Sequence, residues 1–80
     1  MTPPPLLLRP LSAGEAALVG ELARGATVGA AGARLGISYH TAANRLVAVG
    51  LKLTGAGGPL ERVRAWHAAG RPLAPDEAAA

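Results

Sequence analysis

Eighty residues with eight Lys or Arg against five Asp or Glu, a formal charge of +3, a pI near 10.7 and Cys 0 describe one small basic domain. A chain this short buries only about 60% of the surface its unfolded form exposes, so packing must be efficient or a partner must help. The absence of cysteine excludes a disulfide framework and a thiolate metal site, and no apolar run approaches the roughly 18 residues that a membrane span requires. The hydrophobic fraction of 50% comes largely from alanine, and Phe 0, Trp 1 and Tyr 1 leave little aromatic bulk. Helices in close contact through small residues are the expected answer. The basic balance points toward nucleic acid, and a cytoplasmic protein is expected.

Residues 1–10, MTPPPLLLRP, form a proline- and leucine-rich arm that the proline triplet keeps out of a helix. An extended, polyproline-like or disordered arm is expected, with leucines 6–8 covering a groove of the domain or serving a partner. Ser12 and Glu15 then stand at capping-box spacing, so a first helix begins at Ser12. Its apolar positions are Leu18, Val19, Leu22 and Ala23, and Gly25 is placed to end it in a left-handed cap. Glu15 is read as a cap rather than a catalytic acid.

Thr27 is the N-cap of a second helix over residues 28–35, which Gly29 and Gly32 weaken by up to roughly 1 kcal/mol each relative to alanine. Gly32 has a structural reason, a close approach of two helices, whereas none is evident for Gly29. Gly36 stops this helix and Ser38 caps the next, with Ile37 plugging the corner between them. The third helix, residues 39–53, is the longest. On a period of 3.6 it turns Ala42, Leu46, Val49 and Leu53 to the core and His40, Asn44, Val47 and Leu51 outward.

A Gly-rich linker at residues 54–58 has neither the preceding strand nor the following Lys-Ser/Thr of a phosphate loop. Pro59 opens a fourth helix with Leu60, Val63, Trp66 and His67 along one stripe and Gly70 at its end. Trp66 is either a core lid over the first helix or the centre of an interface. Residues 71–80 form a polar, proline-broken tail expected to be disordered. The fold class is therefore all-α: a four-helix, helix-turn-helix domain over residues 11–70 between flexible N- and C-terminal tails.

The series Leu11, Ser12, Glu15, Leu22, Ala23, Gly25, then Leu35-Gly36-Ile37-Ser38, Thr41, Asn44, Lys52 and Leu53 resembles the LuxR-type, or GerE-like, helix-turn-helix domain of bacterial transcription regulators. That resemblance covers residues 11–70 and implies that the third helix enters the major groove and that the fourth mediates dimerisation. The LGIS corner is its most specific part, although region 4 of sigma factors has similar corners. Ala43, Arg45 and Val47 depart from the family's usual lysine, histidine and basic residue, and Ala30 and Gly32 depart in the second helix. Asn44 is the firmest carry-over of a DNA contact, with Arg45 and Lys52 weaker.

The residues themselves suggest the same roles. Asn44 is suited to a bidentate pair with adenine, and Tyr39 and His40 lie in the helix's first turn, where bases or phosphates are reached. Ser38 and Thr41 are natural phosphate donors, while Arg34, Arg45 and Lys52 flank the groove-facing surface as phosphate neutralisers. Val47 and Leu51 suit thymine methyls or a protein partner. No cofactor, metal or catalytic group is expected, since His40 and His67 are the only histidines. The expected function is a sequence-specific DNA-binding transcription regulator at the nucleoid, not an enzyme. It would act as a homodimer, or a heterodimer with another regulator, paired through Leu60, Val63, Trp66 and His67. The alternative is a protein-interaction module that binds another regulator, a sigma factor or an RNA polymerase subunit.

Overall fold

A computed structural model describes residues 3–75 as four helices: α1 (Ala13–Ala23), α2 (Val28–Leu35), α3 (Tyr39–Leu51) and α4 (Pro59–Ala68). Each of the first three starts on a side-chain cap. Ser12 Oγ accepts from the Glu15 amide at 3.1 Å while Glu15 Oε1 accepts from the Ser12 amide at 2.7 Å, which completes the expected capping box. Thr27 Oγ1 accepts from the Ala30 amide and Ser38 Oγ from the Thr41 amide, both at 3.1 Å. α4 begins differently, with Pro59 at its first position and Glu61 Oε1 accepting from the Gly58 amide at 3.2 Å.

The corner between α2 and α3 is the tightest point of the fold. Gly36 takes φ 72°, a left-handed value that a side chain would strain, and the Ile37 amide donates back to Gly32 O at 2.9 Å. A Cβ on Gly32 would stand 3.3 Å from Ala42 Cβ and 3.2 Å from Ile37 O, so the anticipated close approach is real. A second close approach has no signal in the sequence. Gly50, in the last turn of α3, lies so near Pro59 that an added Cβ would meet Pro59 Cβ at 2.8 Å. Arg62 Nη1 donates to Gly50 O at 3.0 Å across the same junction, giving one of α3's terminal carbonyls a cationic donor.

Ala42, Leu46, Val49 and Leu53 are all buried, as their spacing requires, and pack with Leu18, Val19 and Leu22 of α1. α3 itself ends at Leu51, two residues before the expected Leu53. The Lys52 and Leu53 amides bond to Val49 O and Gly50 O, a tightened last turn that frees Leu53 to pair as extended chain.

Its partner is the N-terminal arm. Leu7 is buried and bridges Leu53 on one side and Leu73 on the other. The Leu8 amide donates to Lys52 O at 2.7 Å, the Thr54 amide to Leu6 O at 3.0 Å, the Leu7 amide to Pro72 O at 3.1 Å and the Ala74 amide to Leu7 O at 2.8 Å. The arm is thus extended and covers a groove, one of the alternatives its composition allowed. The tail expected to be disordered from residue 71 is instead docked through Ala74, because the arm supplies the backbone partners that its own sequence lacks. Residues 76–80 of that tail lie outside the described residues.

Trp66 resolves in the same place. It is 3% exposed and Val63 0%, so both belong to the core, and Trp66 Nε1 donates to Pro72 O at 2.8 Å. The indole satisfies its one donor on the tail rather than on a partner chain. Both side chains are thus taken up inside the single domain. Leu60 is half-buried and packed against the same core, and His67 is exposed with its Nδ1 accepting from Arg71 Nε at 3.1 Å.

Two glycine substitutions should move stability in opposite directions. Gly29→Ala adds a Cβ whose nearest neighbour is Tyr39 Cδ2 at 3.8 Å, ordinary contact, and should gain between a few tenths and about 1 kcal/mol from helix propensity. Gly50→Ala should instead destabilise by about 1 to 3 kcal/mol as α3 and α4 are forced apart. Urea midpoints of the two variants check this: a stabilised Gly50→Ala would contradict the close approach.

Candidate nucleic-acid interface

α3 is thirteen residues long, about 20 Å, and turns one face outward. Tyr39, His40, Asn44, Val47 and Leu51 are all exposed on it. The expected wheel is therefore correct for all four outward positions it named. Asn44 Nδ2 lies 3.2 Å from His40 Nε2, one helical turn away. An amide nitrogen only donates, so the ring Nε2 is the acceptor in this contact. His40 thereby holds the Asn44 amide in one orientation and leaves Oδ1 and the second Nδ2 hydrogen free. Those two groups are what a bidentate pair with adenine N6 and N7 requires.

Val47 is 50% and Leu51 66% exposed, an apolar pair beside the polar one. Tyr39 projects from the first turn with its ring edge over Gly29 of α2, which gives that glycine a neighbour but no steric need. Ser38 is more fully engaged than Thr41. Ser38 Oγ donates to Thr41 Oγ1 at 3.1 Å while accepting from the Thr41 amide, so the Ser38 hydroxyl serves the cap and the Thr41 O–H keeps its donor.

The three cations expected at phosphates separate into three situations. Arg34 is exposed at the end of α2, yet its Nε bonds Glu21 Oε2 at 2.7 Å, and Glu21 also holds Arg24 at 3.1 Å. The two arginines are exposed while the carboxylate they share is largely covered, so water screens each pair from the arginine side. Arg45 has no carboxylate partner among the described residues and lays its guanidinium over the first turn of α1, 3.2 Å from where a Cβ on Gly14 would stand. Gly14 thus gives Arg45 its path.

Lys52 is a correction. Its ammonium is turned inward, bonded to Glu15 Oε1 and, at 3.0 Å, to Pro10 O. The lysine clamps the end of α3 to the start of α1 and to the arm, and its charge is spent there. Glu15, only 6% exposed, is accordingly more than a cap. Burial pushes its carboxyl up, but hydrogen bonds from Lys52 and Ser12 and the lysine's charge outweigh that and leave it below its ordinary value of 4.5.

Arg9 has no role legible in the sequence. It is exposed, and its neighbours fix it, with the Leu8 amide on Lys52 O and Pro10 O under the Lys52 ammonium. Nothing local marks it, since the ties span 42 residues or more. Among the described residues no group of three His, Cys, Asp or Glu could hold a metal ion, and no helix is long and apolar enough to cross a membrane. Comparison with known protein families, curated proteins and solved structures gives no match for this chain.

The depressed Glu15 carboxyl fixes a sign. Its contribution is complete above pH 4.5 and is lost as pH falls through the lower folded-state value, since the unfolded chain then binds the proton more readily. Acid titration of the melting temperature should show this loss in the wild type and not in Glu15→Gln. Lys52→Met should cost about 2 to 3 kcal/mol at neutral pH, somewhat under the range for a fully buried pair because the ammonium keeps some contact with water. A Lys52→Met protein as stable as the wild type would show the clamp to be idle.

Proposed function

We propose that the domain is a DNA-binding transcription regulator that lays α3 in the major groove and reads bases with Asn44. The observation that carries this reading is the pre-oriented Asn44 amide at the centre of an exposed helix face. An α-helix fits the major groove, and of the side chains on this face Asn44 has the donor-acceptor pair that adenine presents for recognition. Charge supports it as well. Glu15 is committed to Lys52, Glu21 is shared between Arg24 and Arg34, and Arg45 stands on the flank of α3 without a carboxylate partner among the described residues.

Contacts then sort by role. Asn44, with His40 positioning it, reads a base; Arg45 and Arg34 neutralise phosphates; Tyr39 contributes at the entry of the helix. Val47 and Leu51 meet thymine methyls. Lys52 drops out of the DNA surface and positions α1 instead. A homodimer or heterodimer is not needed for this reading, and with Val63 and Trp66 in the core each domain is proposed to read one half-site by itself.

A second reading rests on one feature, the exposed Val47 and Leu51, which suit a protein surface as well as thymine methyls. There the same face of α3 would bind another regulator, a sigma factor or an RNA polymerase subunit. Binding to random duplex that weakens as salt is raised supports the first reading; a stable protein complex with no duplex binding supports the second.

Asn44→Ala should weaken binding to a selected site by about 1 to 3 kcal/mol and leave random-duplex binding nearly unchanged. Equal losses on both would take Asn44 out of base reading. Arg45→Ala should lower the slope of log K against log salt by about 0.9, whereas Lys52→Met, measured where it remains folded, should leave that slope in place. Fluorescence anisotropy across a salt series separates the two.

A further inference from the structure

The N-terminal arm does more than cover a groove. Residues 6–8 are bonded on both sides, to residues 52–54 and to residues 72–74, so the arm has a fixed path past the C-terminal end of α3. Arg9 occupies the one position of that path between two attachments to the same residue: the Leu8 amide on Lys52 O at 2.7 Å and Pro10 O under Lys52 Nζ at 3.0 Å. Its backbone is held to Lys52 from before and after, while its side chain is exposed and has no carboxylate partner among the described residues.

Position on α3 decides which side of the helix this is. At 100° per residue Lys52 and Arg45 fall within about 20° of one another, at the border between the buried stripe and the outward face. Lys52 reaches Glu15 and Arg45 lies over Gly14, so both point to the first turn of α1. Lys52 would have been the natural cation for a phosphate at the far end of this flank, and Glu15 neutralises it. Arg9, attached to Lys52, restores a cation at that end.

We propose that Arg9 is a phosphate contact of the same nucleic-acid surface, carried on the docked arm and held beside the end of α3 by Lys52. The flank of α3 that faces one wall of the groove then carries Arg45 toward its middle and Arg9 at its end. Lys52 is a positioning residue for Arg9. This inference rests on the reading of α3 as a DNA-binding helix, and duplex DNA is the occupant it names.

The test is the salt dependence of binding to a random-sequence duplex, measured with the full chain for the wild type, Arg9→Gln, Arg9→Lys and Arg64→Gln. Removing one cation from a phosphate lowers the slope by about 0.9, so raising salt from 50 to 200 mM should cost Arg9→Gln about 3.5-fold less affinity than it costs the wild type. Arg9→Lys, which retains the charge, should restore the slope, and Arg64→Gln, on the exposed side of α4, should leave it unchanged. Circular dichroism of each variant reports folding alongside. A wild type that binds with a slope Arg9→Gln does not alter overturns the role of the arm and leaves the reading of α3 standing. An equal reduction in Arg64→Gln reduces the effect to net charge and overturns the proposal too. A wild type that fails to bind duplex at low salt overturns the reading of α3, and the role of Arg9 with it.

Discussion

Lys52 and Glu15 join three parts of this chain that share no local sequence relation. The carboxylate closes the capping box of α1, the ammonium sits at the C-terminal end of α3, and the Pro10 carbonyl ties in the arm. Breaking a buried pair by removing one partner leaves an uncompensated charge in a poor solvent for it, at a cost of about 3 to 5 kcal/mol when burial is complete. A domain of this size has a total stability of only roughly 4 to 12 kcal/mol. That contact is the polar tie between the C-terminal end of α3 and the start of α1.

The remaining constraints act on the same helix from its other neighbours. Gly32 lets α2 approach Ala42, and Gly50 lets Pro59 approach the last turn, so α3 is held at one end by a tight contact and at the other by one that admits no Cβ without movement. Arg62 bonds a terminal carbonyl of α3, and Leu7 closes the core beneath Leu53. A small core with one tryptophan is made sufficient by covering it with chain from both termini, and Trp66 bonds Pro72 as part of that cover. Charge follows the same division. Glu15 and Glu21 bond to cations of this chain, and the side of α3 left free of them is the side that carries Asn44.

What the sequence made legible was local. Caps at Ser12, Thr27 and Ser38 are relations of three residues, left-handed stops at Gly25 and Gly36 are single-residue properties, and the two faces of α3 follow from its period. The outward positions of the candidate site were therefore readable, and so was the need for Gly32. Long-range pairing was not. Lys52 meets Glu15 across 37 residues and Leu6 meets Thr54 across 48, so a helical wheel could place Lys52 on a flank without revealing that its charge was already taken. Trp66 shows the same limit from the apolar side: its stripe with Val63 was visible, but whether that stripe met the core or a second chain depended on where the tail went. Arg9 lay in a segment whose composition gave no fixed position, and only the ladder with residues 52–54 and 72–74 supplies one.

The central claim is that the outward face of α3, with Asn44 at its middle, is the surface that meets nucleic acid. Amide chemical-shift mapping of the labelled protein against a short duplex tests it most directly, because it reports the non-proline backbone positions together and needs no variant. The largest changes should fall on residues 38–48 and at Arg9, fade as salt is raised, and leave α4 unmoved. Changes centred on α4, or a spectrum that duplex does not alter at low salt, would contradict it.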